Sequence, residues 1–232
     1  MRLAVLADVH SNLEALQAVL AEVDNRGVDA TVCLGDVVGY GADPQACVDL
    51  VRERCSIVVR GNHDEGVVAG GVGYLPPDGV AAAIHNQRAL DDESLAWLKA
   101  LPYTAVVETA TLVHATPETP HLWLRADSFG VPQRQFEHFD TPVCLAGHLH
   151  VPAVVGQRMG QLRVRPGGRF FVVVGAVGQP RDGNPRASVG FLDTEAMTYE
   201  LVRVPYRVDE AARKIVEAGL PSRLAERLKV GA

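Results

Sequence analysis

Three apolar runs near the N-terminus alternate with two amphipathic stretches, and that order leaves few folds open. Residues 2–7 predict a buried strand, and 12–25 a helix with Leu13, Leu16, Val19, Leu20 and Val23 on one face. Residues 29–34 predict a second strand. A second helix follows over 44–54, with Asp43 placed to cap it and Pro44 at its first position. The run Ser56-Ile57-Val58-Val59 predicts a third strand. Strand, helix, strand, helix, strand is the pattern of a parallel sheet with helical crossovers. Each strand stops at residues able to bind metal or move protons: Asp8, then Asp36, then Asn62 and His63. The carboxyl ends of parallel strands are where such sheets place their sites.

Beyond residue 64 the pattern changes. Residues 65–79 carry Gly66, Gly70, Gly71, Gly73 and Gly79 with Pro76-Pro77, which predicts a loop beside the site. Helices are expected at about 79–90 and 92–100; Asp91-Asp92-Glu93 suits the start of the second, and Pro102 ends it. Strands then predominate, at 104–108, 110–114, 142–146, 151–155, 161–165, 169–175, 188–193 and 198–204, with a turn at Pro166-Gly167-Gly168. Helices return at about 208–218 and 221–229. No low-complexity linker or repeat interrupts the chain, so residues 1–232 are read as one domain. Two stacked sheets with helices on their outer faces account for both halves.

With 47% apolar residues but only 6% aromatics, the core must come largely from valine, leucine and alanine. A net charge of −6 argues against a surface that grips nucleic-acid phosphates. An anionic ligand must therefore be drawn in locally, by metal ions or a few arginines. Cys33, Cys47, Cys55 and Cys144 lack C-x-x-C spacing, and Cys33 and Cys144 sit in apolar runs as small buried hydrophobes. No run approaches the roughly 20 apolar residues of a membrane helix. The opening stretch is too short for a signal peptide and is interrupted by Asp8. A soluble, cytoplasmic protein with no membrane partner is the expectation; oligomeric state leaves no mark in the sequence.

The chemistry is carried by Asp8-Val9-His10, Gly35-Asp36, Gly61-Asn62-His63-Asp64, His114 and Gly147-His148-Leu149-His150. The donors are carboxylates, an amide oxygen and imidazoles, with no cysteine near any of them, a set that suits divalent manganese, iron or zinc. Taken singly, any of these histidines would more often be structural. A D-x-H is weak and G-N-H-D is sharper; the order of the whole set, placed at strand ends, is what points to a metal site. His85, His121 and His138 lie outside these motifs. Arg60 and Arg181 are candidate phosphate contacts, with a surface or backbone-bonding role as the alternative.

Together, these motifs resemble those of the calcineurin-like metallophosphoesterases. Gly35-Asp36-Val37-Val38-Gly39-Tyr40-Gly41 and Gly178-Gln179-Pro180-Arg181-Asp182-Gly183 resemble the bacterial branch related to diadenosine tetraphosphatases and serine/threonine phosphatases. The resemblance spans almost the whole chain. It implies a four-layer α/β/β/α sandwich of two mixed sheets, with a dinuclear metal site at the strand ends. It assigns one ion to Asp8, His10, Asp36 and His150, and a second to Asp36, Asn62, His114 and His148, with Asp36 bridging. Manganese is the first expectation, with iron, zinc or nickel as alternatives. His63 is implied as the general acid, with Asp64 available to orient it.

The implied reaction is hydrolysis of a small phosphate ester, a diester or nucleotide, by a hydroxide shared between the ions. Such ions lower the pKa of water from about 15.7 to about 7 and clamp an in-line displacement. At about 1.4 kcal/mol per unit, that is on the order of 12 kcal/mol towards forming the nucleophile. A general acid adds about 10²–10⁴-fold. The chain also departs from the family. Gly39-Tyr40 stands where phosphoprotein phosphatases carry an Asp-Arg phosphate clamp, which puts Tyr40 at the substrate and argues against phosphoproteins. Val173-Val174-Gly175-Ala176 replaces Asn-Pro-Gly-Ser, and Ala115 follows His114 where glycine is usual. The alternatives are a phosphomonoesterase or protein phosphatase, a diadenosine tetraphosphate hydrolase, and a non-catalytic metal-binding scaffold.

Overall fold

The computed structural model describes residues 1–69, 75–127, 130–158 and 160–232. The first half runs β1 (Arg2–Leu6), α1 (Leu13–Arg26), β2 (Ala30–Cys33), α2 (Pro44–Arg54), β3 (Ile57–Val58), α3 (Asn62–Val68), α4 (Pro77–Ala89) and α5 (Asp92–Ala100). The second runs β4 (Thr104–Val107), β5 (Ala110–Val113), α6 (Val131–Arg134), β6 (Val143–Ala146), β7 (Ala153–Gly156), β8 (Phe170–Val173), β9 (Ala187–Asp193), β10 (Thr198–Val204), α7 (Val208–Glu217) and α8 (Ser222–Val230).

Among the described residues the strands form two mixed five-stranded sheets, in the orders β10-β9-β1-β2-β3 and β4-β5-β6-β8-β7. In the first, β1, β2 and β3 are parallel, while β9 returns antiparallel to β1 with Leu192 opposite Leu3. In the second, β5, β6 and β8 are parallel and are flanked by antiparallel β4 and β7.

Side chains alternate across a strand, and that alternation builds the layers. Leu3, Val5, Val32 and Leu34 of the first sheet pack with Leu112, Leu145, Phe170 and Val172 of the second. The opposite face of the first sheet, Ala4, Leu6 and Cys33, meets Leu16 and Val19 of α1 and Val48 and Val51 of α2. On the outer face of the second sheet, Val113, Cys144, Phe171 and Val173 are covered by Phe136 and Phe139. Each Leu or Phe so buried contributes about 1.5–3 kcal/mol. The α7–α8 pair forms a smaller core with Tyr40, Ala82 and Leu220. The result is the expected α/β sandwich. No helix among the described residues is long and apolar enough to cross a membrane.

Three expectations need correction. Residues 161–165 do not form a strand. β7 pairs directly with β8, Gly156 opposite Phe170, and Gln157 N–H donates to Arg169 O, so the hairpin closes before this segment. Leu162 is left 76% exposed and Val164 turns inward. Asp43 occupies the N-cap of α2 but makes no capping bond; its carboxylate accepts from Lys214 Nζ at 3.0 Å. The glycine-rich stretch 65–79 is not a loop throughout, because α3 runs to Val68 and α4 starts at Pro77. Residues 70–74 lie outside the described residues.

Candidate metal centre

β1 and β2 stop, but their pairing does not. Beyond the strands, the N–H groups of Asp8, His10 and Ser11 donate to the carbonyls of Gly35, Asp36 and Val37 at 2.9–3.0 Å. This ladder holds a backbone that would otherwise be costly. Asp8, His10, Ser11, Asp36, Tyr40, His148 and His150 all have φ between 50° and 65°. A left-handed non-glycine residue costs roughly 1–2 kcal/mol, and such strain gathers where side chains must be aimed. The second sheet is tied in by His148 N–H, which donates to both Asp8 oxygens at 3.0 and 3.1 Å.

Backbone carbonyls fix the imidazoles. His10 Nδ1 lies 3.1 Å from Val38 O, His114 Nδ1 2.8 Å from Leu34 O and His150 Nδ1 2.5 Å from Gln179 O. A carbonyl only accepts, so each Nδ1 carries a hydrogen and each Nε2 is turned into the site, where its lone pair is free whenever that nitrogen is unprotonated. His10 Nε2 and His150 Nε2 then face each other at 3.0 Å, with Asp8 Oδ1 3.3 Å from the latter. Lone pairs brought this close repel unless a cation lies among them. The donor atoms of Asp8, His10, Asp36 and His150 all fall within 4.8 Å of one another.

A second group adjoins the first. Asn62 Oδ1 lies 3.1 Å from His114 Nε2 and 2.9 Å from His148 Nδ1. Asp36 belongs to both groups. Its Oδ1 accepts the His63 N–H at 2.7 Å, while its Oδ2 stands 3.6 Å from His10 Nε2 and 3.3 Å from His114 Nε2. Oxygen and imidazole donors gathered this way fit divalent cations.

Burial and charge act together on these groups. Burial alone would lower His114, but the Asp36 and Asp8 carboxylates outweigh it and lift it to about 9, so without metal a proton stands where a cation would sit. Burial would raise Asp36, yet the surrounding histidines, His114 foremost, hold it well below the usual carboxylate range. Burial and the neighbouring His114 push His148 down to about 3.

Asp64 does not orient His63, contrary to the sequence expectation. Its Oδ2 accepts from the N–H groups of Asp36 and Gly61 at 2.8 and 2.9 Å, and its Oδ1 from Val38 N–H at 3.2 Å. It therefore clamps two loops together. Burial and the Asp36 charge push it up to about 7, against the pull of these donors. Asn86, which sequence reasoning missed, does similar work from α4. Its Oδ1 accepts from Ser11 Oγ and Gly39 N–H at 2.9 and 2.6 Å, and its Nδ2 donates to Gly41 O at 3.1 Å.

Two glycines are required by space. A Cβ on Gly61 would fall 2.1 Å from Asp36 Oδ1, and one on Gly39, at φ +105°, would fall 2.5 Å from His63 Nδ1. The imidazole of His63 thus occupies room that glycine leaves. Its Nδ1 has no hydrogen-bond partner among the described residues, and its ring centroid lies 4.3 Å from that of Tyr40.

A cavity of about 380 Å³ opens over both donor groups and is lined by Asp36, Tyr40, Asn62, His63, His148, His150 and Arg181, with Pro76, Leu122, Trp123 and Arg125. Arg181 stands over the Tyr40 ring at 5.5 Å and donates to Gln179 Oε1 at 2.9 Å. Arg60 is not brought to this cavity. Its guanidinium stacks on Tyr103 at 4.9 Å and bonds the carbonyl of Lys99, because Arg60 N–H pairs with Pro102 O and the chain turns outward. Arg125 takes a place on the wall that the sequence did not foretell, since it lies in an irregular segment without a motif.

The model of the calcineurin-like phosphoesterase superfamily domain matches residues 1–197. An uncharacterised protein of Methanocaldococcus jannaschii is 35% identical over 99% of this chain and 98% of its own. The crystal structure of a metallophosphoesterase from Sphaerobacter thermophilus superposes with a TM-score of 0.89 at 36% identity, over 100% of this chain and 99% of that one. A hypothetical protein from Pyrococcus horikoshii shares the fold, with a TM-score of 0.83 at 19% identity, over 100% and 98% of the two chains.

Proposed function

We propose that this chain, which belongs to the calcineurin-like phosphoesterase superfamily, hydrolyses a small phosphate ester at a pair of divalent cations. The observation that carries the reading is the shared Asp36 Oδ2, flanked by two sets of inward-facing donors. Asp8, His10, Asp36 and His150 would hold one ion, and Asp36, Asn62, His114 and His148 the other. Manganese is the first candidate, because the donor set lacks the thiolates that would favour softer metals. When bound, the ions polarise the phosphoryl oxygens and lower the pKa of water towards 7.

The residues around them do the rest. His63 faces the cavity and delivers a proton to the leaving oxygen. Burial lowers its pKa to about 4 against the pull of Asp36, and the negative charge of a bound phosphate favours the protonated form. Arg181, held by Gln179 and stacked on Tyr40, offers a guanidinium to the phosphate. Gly39 against His63, in place of a carboxylate, and a cavity of small-molecule size both favour a diester or nucleotide over a phosphoprotein.

Chelated protein resupplied with manganese, nickel or zinc is expected to cleave bis-p-nitrophenyl phosphate or the corresponding monoester. Absence of turnover with every ion on both compounds would refute the proposal. His63→Ala should keep its metal and lose about 10²–10⁴-fold on esters with poor leaving groups, but much less on nitrophenyl esters. An equal loss on both kinds would remove His63 from the acid's role.

A further inference from the structure

The walls of the cavity are chemically unequal. Beside the donors for metal and phosphate, the lining includes the apolar Pro76, Leu122 and Trp123, together with Arg125. Leu122, Trp123 and Arg125 come from the segment that leaves β5 just past His114. The chain makes a short helical turn over Pro120–Leu122 and enters Trp123 with φ 55° and ψ 38°. A left-handed bulky residue is uncommon and strained, and it persists only where its surroundings hold it.

The consequence is a fixed indole. Trp123 is 7% exposed, between Leu122 at 49% and Leu124 at 37%. Its ring meets His114 edge-on at 5.8 Å and Tyr103 at 5.8 Å. The indole is thus braced from behind by the donor group and by Tyr103, which itself carries Arg60. Arg125 is half exposed and tethered to Asp127 at 2.7 Å. It offers a planar cation able to stack on a ring or bond its polar edge.

We infer that Trp123, Leu122 and Arg125 form a seat for a flat aromatic ring in the organic part of the substrate. The substrate class is then nucleoside phosphates, rather than sugar or glycerol phosphates. A cavity of about 380 Å³ lies within the size range of sites that enclose a whole small molecule. An indole or guanidinium plane binds any nucleobase through its π-face, so the seat selects for a base without selecting which one. This inference rests on the phosphoesterase reading, and its test is arranged to fail separately.

Adenosine 5′-phosphate and glycerol 3-phosphate share the same kind of primary alkyl phosphate bond, and the first carries a ribose and a base where the second has glycerol; the Trp123 variants assign the difference to the base. Both are assayed with manganese, each also as its methyl diester, so that either ester class gives a reading. The kcat/KM ratio of the adenosine compound to the glycerol compound is expected to be about 5–150, the range of aromatic–base stacking. Trp123→Ala should bring that ratio close to one, whereas Trp123→Phe should retain most of it. Because both substrates use the same ions, any change in metal content caused by the His114 contact cancels in the ratio. A ratio near one in the unaltered protein, or one untouched by Trp123→Ala, overturns the ring seat and leaves the hydrolase reading standing. No turnover of any of the four compounds by protein that still cleaves a nitrophenyl ester overturns this inference alone; no turnover of the nitrophenyl esters as well sinks the hydrolase reading with it.

Discussion

Asp36→Asn is expected to empty both cation positions together and to lower metal-dependent turnover by at least about 10²-fold, the scale reached when merely supporting groups are altered. The reason lies in how the carboxylate divides its oxygens. Oδ1 accepts the His63 N–H at 2.7 Å, and Oδ2 faces both His10 and His114. An amide has one oxygen and one donor, so it cannot serve both. With its oxygen on the His63 N–H, its NH₂ points at the cations; turned over, its NH₂ meets the N–H. Asp8→Asn, by contrast, should weaken one position more than the other, since the imidazole nitrogens beside Asp8 Oδ1 are those of His150 and His10. Metal content by plasma emission and turnover on a nitrophenyl ester read both variants. Two ions per chain and full activity in Asp36→Asn would contradict the shared role.

The largest expected effect on stability lies behind the site. Glu14 of α1 is 2% exposed, accepts from Lys214 Nζ at 2.6 Å, and leaves its Oε2 without a partner among the described residues. Lys214, on α7, also holds Asp43. Lys214→Met leaves a buried carboxylate without its cation, a change worth about 3–5 kcal/mol in buried pairs. Since Lys214 itself is 25% exposed, the low end applies. At about 2–4 °C per kcal/mol for a chain of this size, the melting temperature should fall by roughly 6–12 °C. Glu14→Leu combined with Lys214→Met should recover much of that loss, because the stranded charge is gone. A shift under about 1 °C in the single variant would show that the ion pair does not hold α7–α8 in place. Its functional interest is that the same helix pair packs on Tyr40, beside His63.

What the sequence revealed, and what it hid, follows from range. The donor motifs were legible because parallel strands bring their carboxyl ends together, so Asp8, Asp36 and Asn62 could be placed side by side from strand positions alone. The strand and helix limits differ from expectation by only a residue or two in most elements, which is ordinary fraying. Roles set by three-dimensional convergence were hidden. Asp64 looks like a partner for the adjacent His63, yet its carboxylate reaches backbone N–H groups of two other turns. Asn86 sits mid-helix, where nothing in His85-Asn86-Gln87 marks a fully buried hub. Arg60 follows β3 closely enough to suggest a phosphate contact, and only the pairing with Pro102 turns it away. Trp123 and Arg125 reach the cavity through a strained turn that carries no periodic signal.

The account stands on cations occupying the gap between opposed lone pairs, and diffraction can see them directly. Crystals grown with manganese, measured at a wavelength where that metal scatters anomalously, should give two peaks about 3.5–4 Å apart, astride Asp36 Oδ2. One should lie among Asp8, His10 and His150, the other among Asn62, His114 and His148. A single peak, or none with the ion in excess, would contradict it.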